Sequence, residues 1–118
     1  AIKTLSEECL SDPERFVGGI IDLATECRFL SVVRHTNIIK MRGFADGNSF
    51  ETGFFVVLDR LYDTLTLKIA KWKKATDKYS GPGKLLDMKG KKKNKVWIDR
   101  LICVYDLSTA LEYLHSHK

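Results

Sequence analysis

Two rhythms of apolar residues run along the chain. Ile20, Leu23, Cys27 and Leu30 fall three and four apart, the repeat of a single helix face, and predict a continuous helix over about 20–33. The stretch before it, SEECLSDPERF, is polar and rich in turn residues. Ser11 precedes Glu14 by three, as in a capping box, and Asp12 followed by Pro13 offers an alternative helix start. Gly18 and Gly19 disfavour helix, so the continuous segment is expected to begin only at Ile20. Residues 1–5 (AIKTL), 38–44 (IIKMRGF) and 54–58 (FFVVL) read as strands, the last apolar throughout and expected to be covered on both faces. Between the second and third strands lies ADGNSFETG, where Asp46 and Gly47 form the strongest hairpin signal in the chain.

Beyond the strands, residues 59–65 (DRLYDTL) read as a connector and Thr66 to about Lys74 as a short helix. Residues 75–95 hold Gly-Pro-Gly and many lysines with no sustained period, which predicts a flexible loop. The final segment, 96–118, is a long helix. Trp97, Leu101, Val104, Ser108, Leu111 and His115 make one stripe, and Ile98, Ile102, Tyr105, Leu107 and Leu114 widen it. So broad an apolar surface calls for more partner surface than this chain supplies. No internal repeat is visible.

One polar residue breaks the first helix pattern. Glu26 lies three after Leu23 and four before Leu30, on the apolar face. A carboxylate there is costly unless it is paired.

Composition adds three constraints. A chain of 118 residues is long enough for one core and too short to expect two, and 44% hydrophobic content favours a packed interior over disorder. No apolar run approaches the ~20 residues of a membrane helix, and the first residues lack a signal-peptide pattern. Cys9, Cys27 and Cys103 are odd in number and dispersed, which suits a reducing, cytoplasmic setting. The net charge of +5 is local: residues 71–95 carry ten lysines against Asp77 and Asp87, net +8, which leaves −3 for the other 93 residues.

Taken in order, AIK on a first strand, a helix with an inward Glu26, HTNIIKMRG, a hairpin and a helix ending EYLHS resemble the eukaryotic protein kinase domain. Ala1, Ile2 and Lys3 are similar to the end of the V-A-I-K motif on the family's third small-lobe strand. Glu26 precedes His35 by nine residues, as the glutamate of the family's αC helix precedes its H-x-N turn, although Thr36 stands where proline is commoner. Residues 54–58 resemble the fifth strand, 59–65 the hinge and 97–118 the αE helix. The resemblance spans nearly the whole chain except the lysine-rich insert.

The resemblance implies an α+β fold: antiparallel small-lobe strands with an αC-like helix over 1–58, a hinge over 59–65, then the first large-lobe helices over 66–118 with the insert at 71–95. It also implies that the glycine-rich loop precedes Ala1 and that the catalytic-loop aspartate and the DFG segment follow Lys118. On that expectation the chain is part of a kinase domain and does not catalyse by itself. The implied activity is ATP-dependent phosphoryl transfer to a protein substrate, more commonly at Ser or Thr than at Tyr. Lys3 would contact the ATP phosphates, with Glu26 as its fixed partner. Asp59 would offer a backbone carbonyl to adenine, and Leu61 its N–H and carbonyl. Leu58 takes the gatekeeper position, Ala1 covers the ring and Leu65 lines the floor. Leu30 and Met41 match two members of a regulatory hydrophobic column, positions that core packing alone would also fill. The ligands for Mg²⁺ lie outside the chain.

Other chemistry is weaker. His115 and His117 are two apart and do not share a helix face, and Cys103 is about three turns away, so no metal site is expected. Tyr62, Thr76 and Tyr79 are hydroxyls without a supporting pattern. The lysines of 71–95, flanked by Trp72, Tyr79 and Trp97, are expected to be a solvated run, with an acidic partner as the alternative. Two further classes stay open for the whole chain: a pseudokinase or scaffold, and a small basic interaction domain.

Overall fold

The computed structural model describes residues 1–117. It is α+β and divides into two compact units, Ala1–Arg60 and Leu61 onward. The boundary falls within 59–65.

The first unit contains β1 (Ile2–Thr4), α1 (Glu7–Ser11), α2 (Pro13–Val32), β2 (Met41–Phe44) and β3 (Phe55–Leu58). The strands form an antiparallel sheet in the order β1-β3-β2. α2 begins seven residues before the expected Ile20, because the side chain of Asp12 accepts the N–H groups of Glu14 and Arg15 and Pro13 stands in the first turn. Gly18 and Gly19 lie inside the helix. A methyl group on Gly19 would come 3.0 Å from a Leu5 methyl carbon, so close packing outweighs its poor helix propensity.

The expected helical stripe is buried: Ile20, Leu23 and Cys27 pack with Phe54 and Val56 to form the core, with Leu5, Phe16, Met41, Ala45 and Leu58 around it. Leu30, the fourth stripe residue, is also buried. Removal from water pushes the Cys27 thiol pKa up, and its sulfur lies 3.8 Å from that of Met41. Val56 is 1% exposed. β3 is not covered on both faces as expected, since Phe55 on the opposite face is 37% exposed.

Two strand expectations shorten. Ile38 and Ile39 precede β2, and the Ile38 N–H turns back to the His35 carbonyl at 3.2 Å. Asp46 and Gly47 do not form a two-residue hairpin. They begin a longer link, 45–54, in which the Asp46 side chain accepts the Gly47 N–H at 3.0 Å and Asn48 accepts that of Phe50 at 3.0 Å.

The second unit contains α3 (Leu65–Lys78), a short 3₁₀ helix (Gly81–Asp87) and α4 (Lys91–Ser116). α3 is longer than expected, and the Thr64 hydroxyl caps it by accepting the Leu67 N–H at 3.3 Å. The predicted flexible loop over 75–95 is a correction: most of it is helical. Lysine is a good helix former, and the Asp87 carboxylate accepts the N–H groups of Lys92 and Lys93 at 3.1 and 2.9 Å, anchoring the start of α4. Gly-Pro-Gly is the turn that makes this possible. A side chain at Gly83 would overlap the Lys78 carbonyl, and Gly90 precedes α4 with φ +64°.

The expected α4 stripe is largely uncovered, with Trp97 56% and Val104 62% exposed, while Ala110 alone is buried among the described residues of this unit. No helix of the described residues is long and apolar enough to cross a membrane. The first unit therefore holds the core, and its most enclosed side chain controls it. Val56→Ala should cost about 2–3 kcal/mol, read as a loss of amide-exchange protection across β3 and the facing turns of α2.

Candidate functional site

β1 pairs with β3 so that Ile2 faces Val57, Lys3 faces Val56 and Thr4 faces Phe55. Directly opposed residues point to the same side of an antiparallel pair, so Lys3 shares the face of Val56, on which α2 packs. Glu26 stands one residue before buried Cys27, at the edge of the buried stripe. Its carboxylate accepts a hydrogen bond from the Lys3 ammonium. The anomaly in the helix pattern is thus resolved by a partner 23 residues earlier. Neither group is sealed from water: the side chains are 50% and 35% exposed. Such a pair contributes little net stability, at most about 1 kcal/mol. What it supplies is position, an ammonium held over one spot on the sheet.

The other expected site residues are distributed as follows. Ala1 adjoins Leu58, whose N–H donates to the Ala1 carbonyl at 2.8 Å, so the Leu58 N–H is spent on the sheet. The Leu58 side chain is half-buried against the core. Asp59 follows directly, and its N–H donates to the Lys40 carbonyl at 3.1 Å. Lys3, Glu26, Ala1, Leu58 and Asp59 all belong to the first unit. Leu61 and Leu65 belong to the second, where they are 69% and 52% exposed.

Arg42 was missed. β2 carries a bulge between Met41 and Gly43, which pair with Leu58 and Val57, so Arg42 is the extra residue. Its guanidinium forms a two-pronged bond to Asp59, Nε to Oδ1 at 2.5 Å and Nη2 to Oδ2 at 3.2 Å. The hydrogen bond from Arg42 holds the Asp59 carboxyl below the usual carboxylate range. Only the register, displaced by the bulge, could have signalled the pair.

His117 follows the last residue of α4. Its ring stacks on Tyr113 with 4.2 Å between centroids, and its Nδ1 lies 2.8 Å from the Tyr113 carbonyl. Among the described residues no three of His, Cys, Asp and Glu gather as a metal site. Thr76 bonds the Trp72 carbonyl at 2.8 Å and accepts from Arg100 at 3.1 Å.

Comparison with protein-family models, with curated proteins and with solved structures gives no match.

A carboxyl whose folded pKa is depressed adds stability above its ordinary pKa, and that stability is lost as pH falls through the folded value. Carbon-detected NMR titration should therefore find Asp59 ionised below the usual carboxylate range, and Arg42→Ala should move its midpoint upward.

Proposed function

We propose that the chain is the nucleotide-anchoring part of a protein kinase domain, whose reaction is ATP-dependent phosphoryl transfer to protein Ser or Thr hydroxyls. The observation that carries this reading is the Lys3–Glu26 pair. Phosphoryl transfer depends mainly on positioning and charge stabilisation, and a strand lysine fixed by a helix glutamate is one of its recurring parts. A lysine alone is a mobile point charge; the carboxylate restricts where it points without neutralising its ability to meet a phosphate oxygen. The ordered set of AIK, Glu26, HTN, the 54–58 strand and EYLHS adds support beyond the pair.

On this reading Lys3 meets the α and β phosphates, and Ala1 and Leu58 bound the adenine end on the same side of the sheet. Asp59 contributes a backbone carbonyl; its side chain is committed to Arg42. Neither an HRD nor a DFG segment occurs in the 118 residues. A cytoplasmic location belongs to the same reading, as do substrates that are proteins.

A scaffold that keeps the pair but not the chemistry is the second reading, favoured by the uncovered apolar face of α4. An ATP acyl phosphate, which acylates the amine nearest the bound phosphates, tests the nucleotide anchoring that the kinase reading requires. Lys3 should be labelled ahead of the chain's other lysines, excess ATP should suppress that labelling, and Glu26→Gln should reduce it roughly tenfold, the loss of one charge-assisted bond. Labelling of Lys3 no greater than that of the surface lysines, and indifferent to ATP, would contradict nucleotide anchoring.

A further inference from the structure

The lysine-rich segment has a shape that its composition does not suggest. Trp72 and Tyr79 stand seven residues apart on and just beyond α3, near the first turns of α4. There an open cleft of about 600 Å³ is lined by Tyr79, Lys92, Lys95, Val96, Ile98 and Ile102, together with Trp72 and Asp99. Its volume is within the range of ligand-binding clefts. The apolar part of its wall is exposed, with Ile98 48% and Ile102 53% accessible.

Its electrostatics are one-sided. Asp99, the carboxylate in the wall, accepts the Trp72 indole N–H at 2.7 Å and the Lys68 ammonium at 3.3 Å. Lys92 and Lys95 are three apart on one face of α4; among the described residues neither forms a close ion pair, although Lys92 helps hold the Asp87 carboxyl down and Lys95 that of Asp99. Lys92 rests over the Tyr79 ring, 5.0 Å from its centroid. Residues 71–95 together carry net +8.

We propose that this cleft docks an acidic protein segment, with one aromatic or large aliphatic side chain seated on Ile98 and Ile102 beside Tyr79 and flanking carboxylates paired with Lys92 and Lys95. An apolar seat with a basic rim fits that chemistry, since the anchor supplies burial and the carboxylates supply register. Single-stranded nucleic acid fits less well. Base stacking needs open aromatic faces, and cations already lie over both rings: Lys68 and Arg100 at 5.5 and 5.8 Å from Trp72, Lys78 and Lys92 at 5.7 and 5.0 Å from Tyr79. A membrane surface fits less well because it calls for an apolar face that can lie flat, whereas this seat is concave. The proposal does not depend on the kinase reading.

The test uses the whole protein that carries this sequence and a labelled peptide, Asp-Asp-Glu-Trp-Asp-Asp-Phe-Glu-Glu, followed by fluorescence anisotropy. The peptide should bind, and replacing its Trp and Phe by Ala should weaken binding tenfold or more. Lys92→Glu with Lys95→Glu should do the same. Acidic side chains near a helix N-terminus are favoured, so this variant should keep its helical circular dichroism. Ile102→Ser, at an exposed position, tests the seat separately and should also weaken binding. The proposal is overturned if the alanine peptide binds as tightly as the parent, or if the double variant keeps full affinity. It is equally overturned if oligothymidylate or phosphatidylserine vesicles bind more tightly than the peptide, or if none of these probes binds at ~1 mM.

Discussion

The packing of α2 on β3 is the constraint from which the rest of the first unit follows. Ile20, Leu23 and Cys27 bury against Phe54 and Val56, and that contact fixes the rotation of the helix about its own axis. With the rotation fixed, Glu26 cannot turn into the core or fully into water. It emerges at the margin, on the side where β1 runs. β1 in turn is registered on β3 so that Lys3 faces Val56, which brings the ammonium to the same margin. The ion pair is thus a product of apolar packing rather than its cause. A half-exposed pair is too weak to orient a twenty-residue helix, whereas several buried side chains are not.

The second unit is organised differently. Ala110 is its one buried residue among those described, and several of its helix contacts are made by aspartates. Asp63 pairs with Lys71 at 2.6 Å, Asp87 receives the first N–H groups of α4, and Asp99 joins Trp72 to Lys68. Each aspartate sits where it offsets part of a dense positive charge. Lys92 and Lys95 are the two lysines of the segment that line the Tyr79 cleft.

Much of the first unit was legible because its signals are local and redundant. The three-and-four repeat of Ile20, Leu23, Cys27 and Leu30 marks the buried face, and Glu26 stands out only against it. The helix start was read too late because Gly18 and Gly19 were weighed by propensity, while the approach of Leu5 to Gly19 is a tertiary fact. Arg42 was invisible for a related reason: its partner is set by a bulge, and a one-residue change of register moves every side chain. In the second unit composition misled. A run of lysines resembles a solvated loop, yet lysine is compatible with helix once something receives the first N–H groups, and Asp87 lies only five residues before Lys92. The Trp72 and Tyr79 edges of that run were visible in the sequence; that they line one cleft with Lys92 and Lys95 was not.

The packing of α2 on the sheet delivers the Glu26 carboxylate to the Lys3 ammonium. Zero-length carbodiimide coupling tests it most directly, because an amide forms only between groups already in contact. Peptide mapping of the treated chain should recover a Lys3–Glu26 cross-link, and Leu23→Ala, which loosens the helix seat, should diminish it. Recovery of Glu26 joined to other lysines, or a Lys3 link that Leu23→Ala leaves unchanged, would contradict the account.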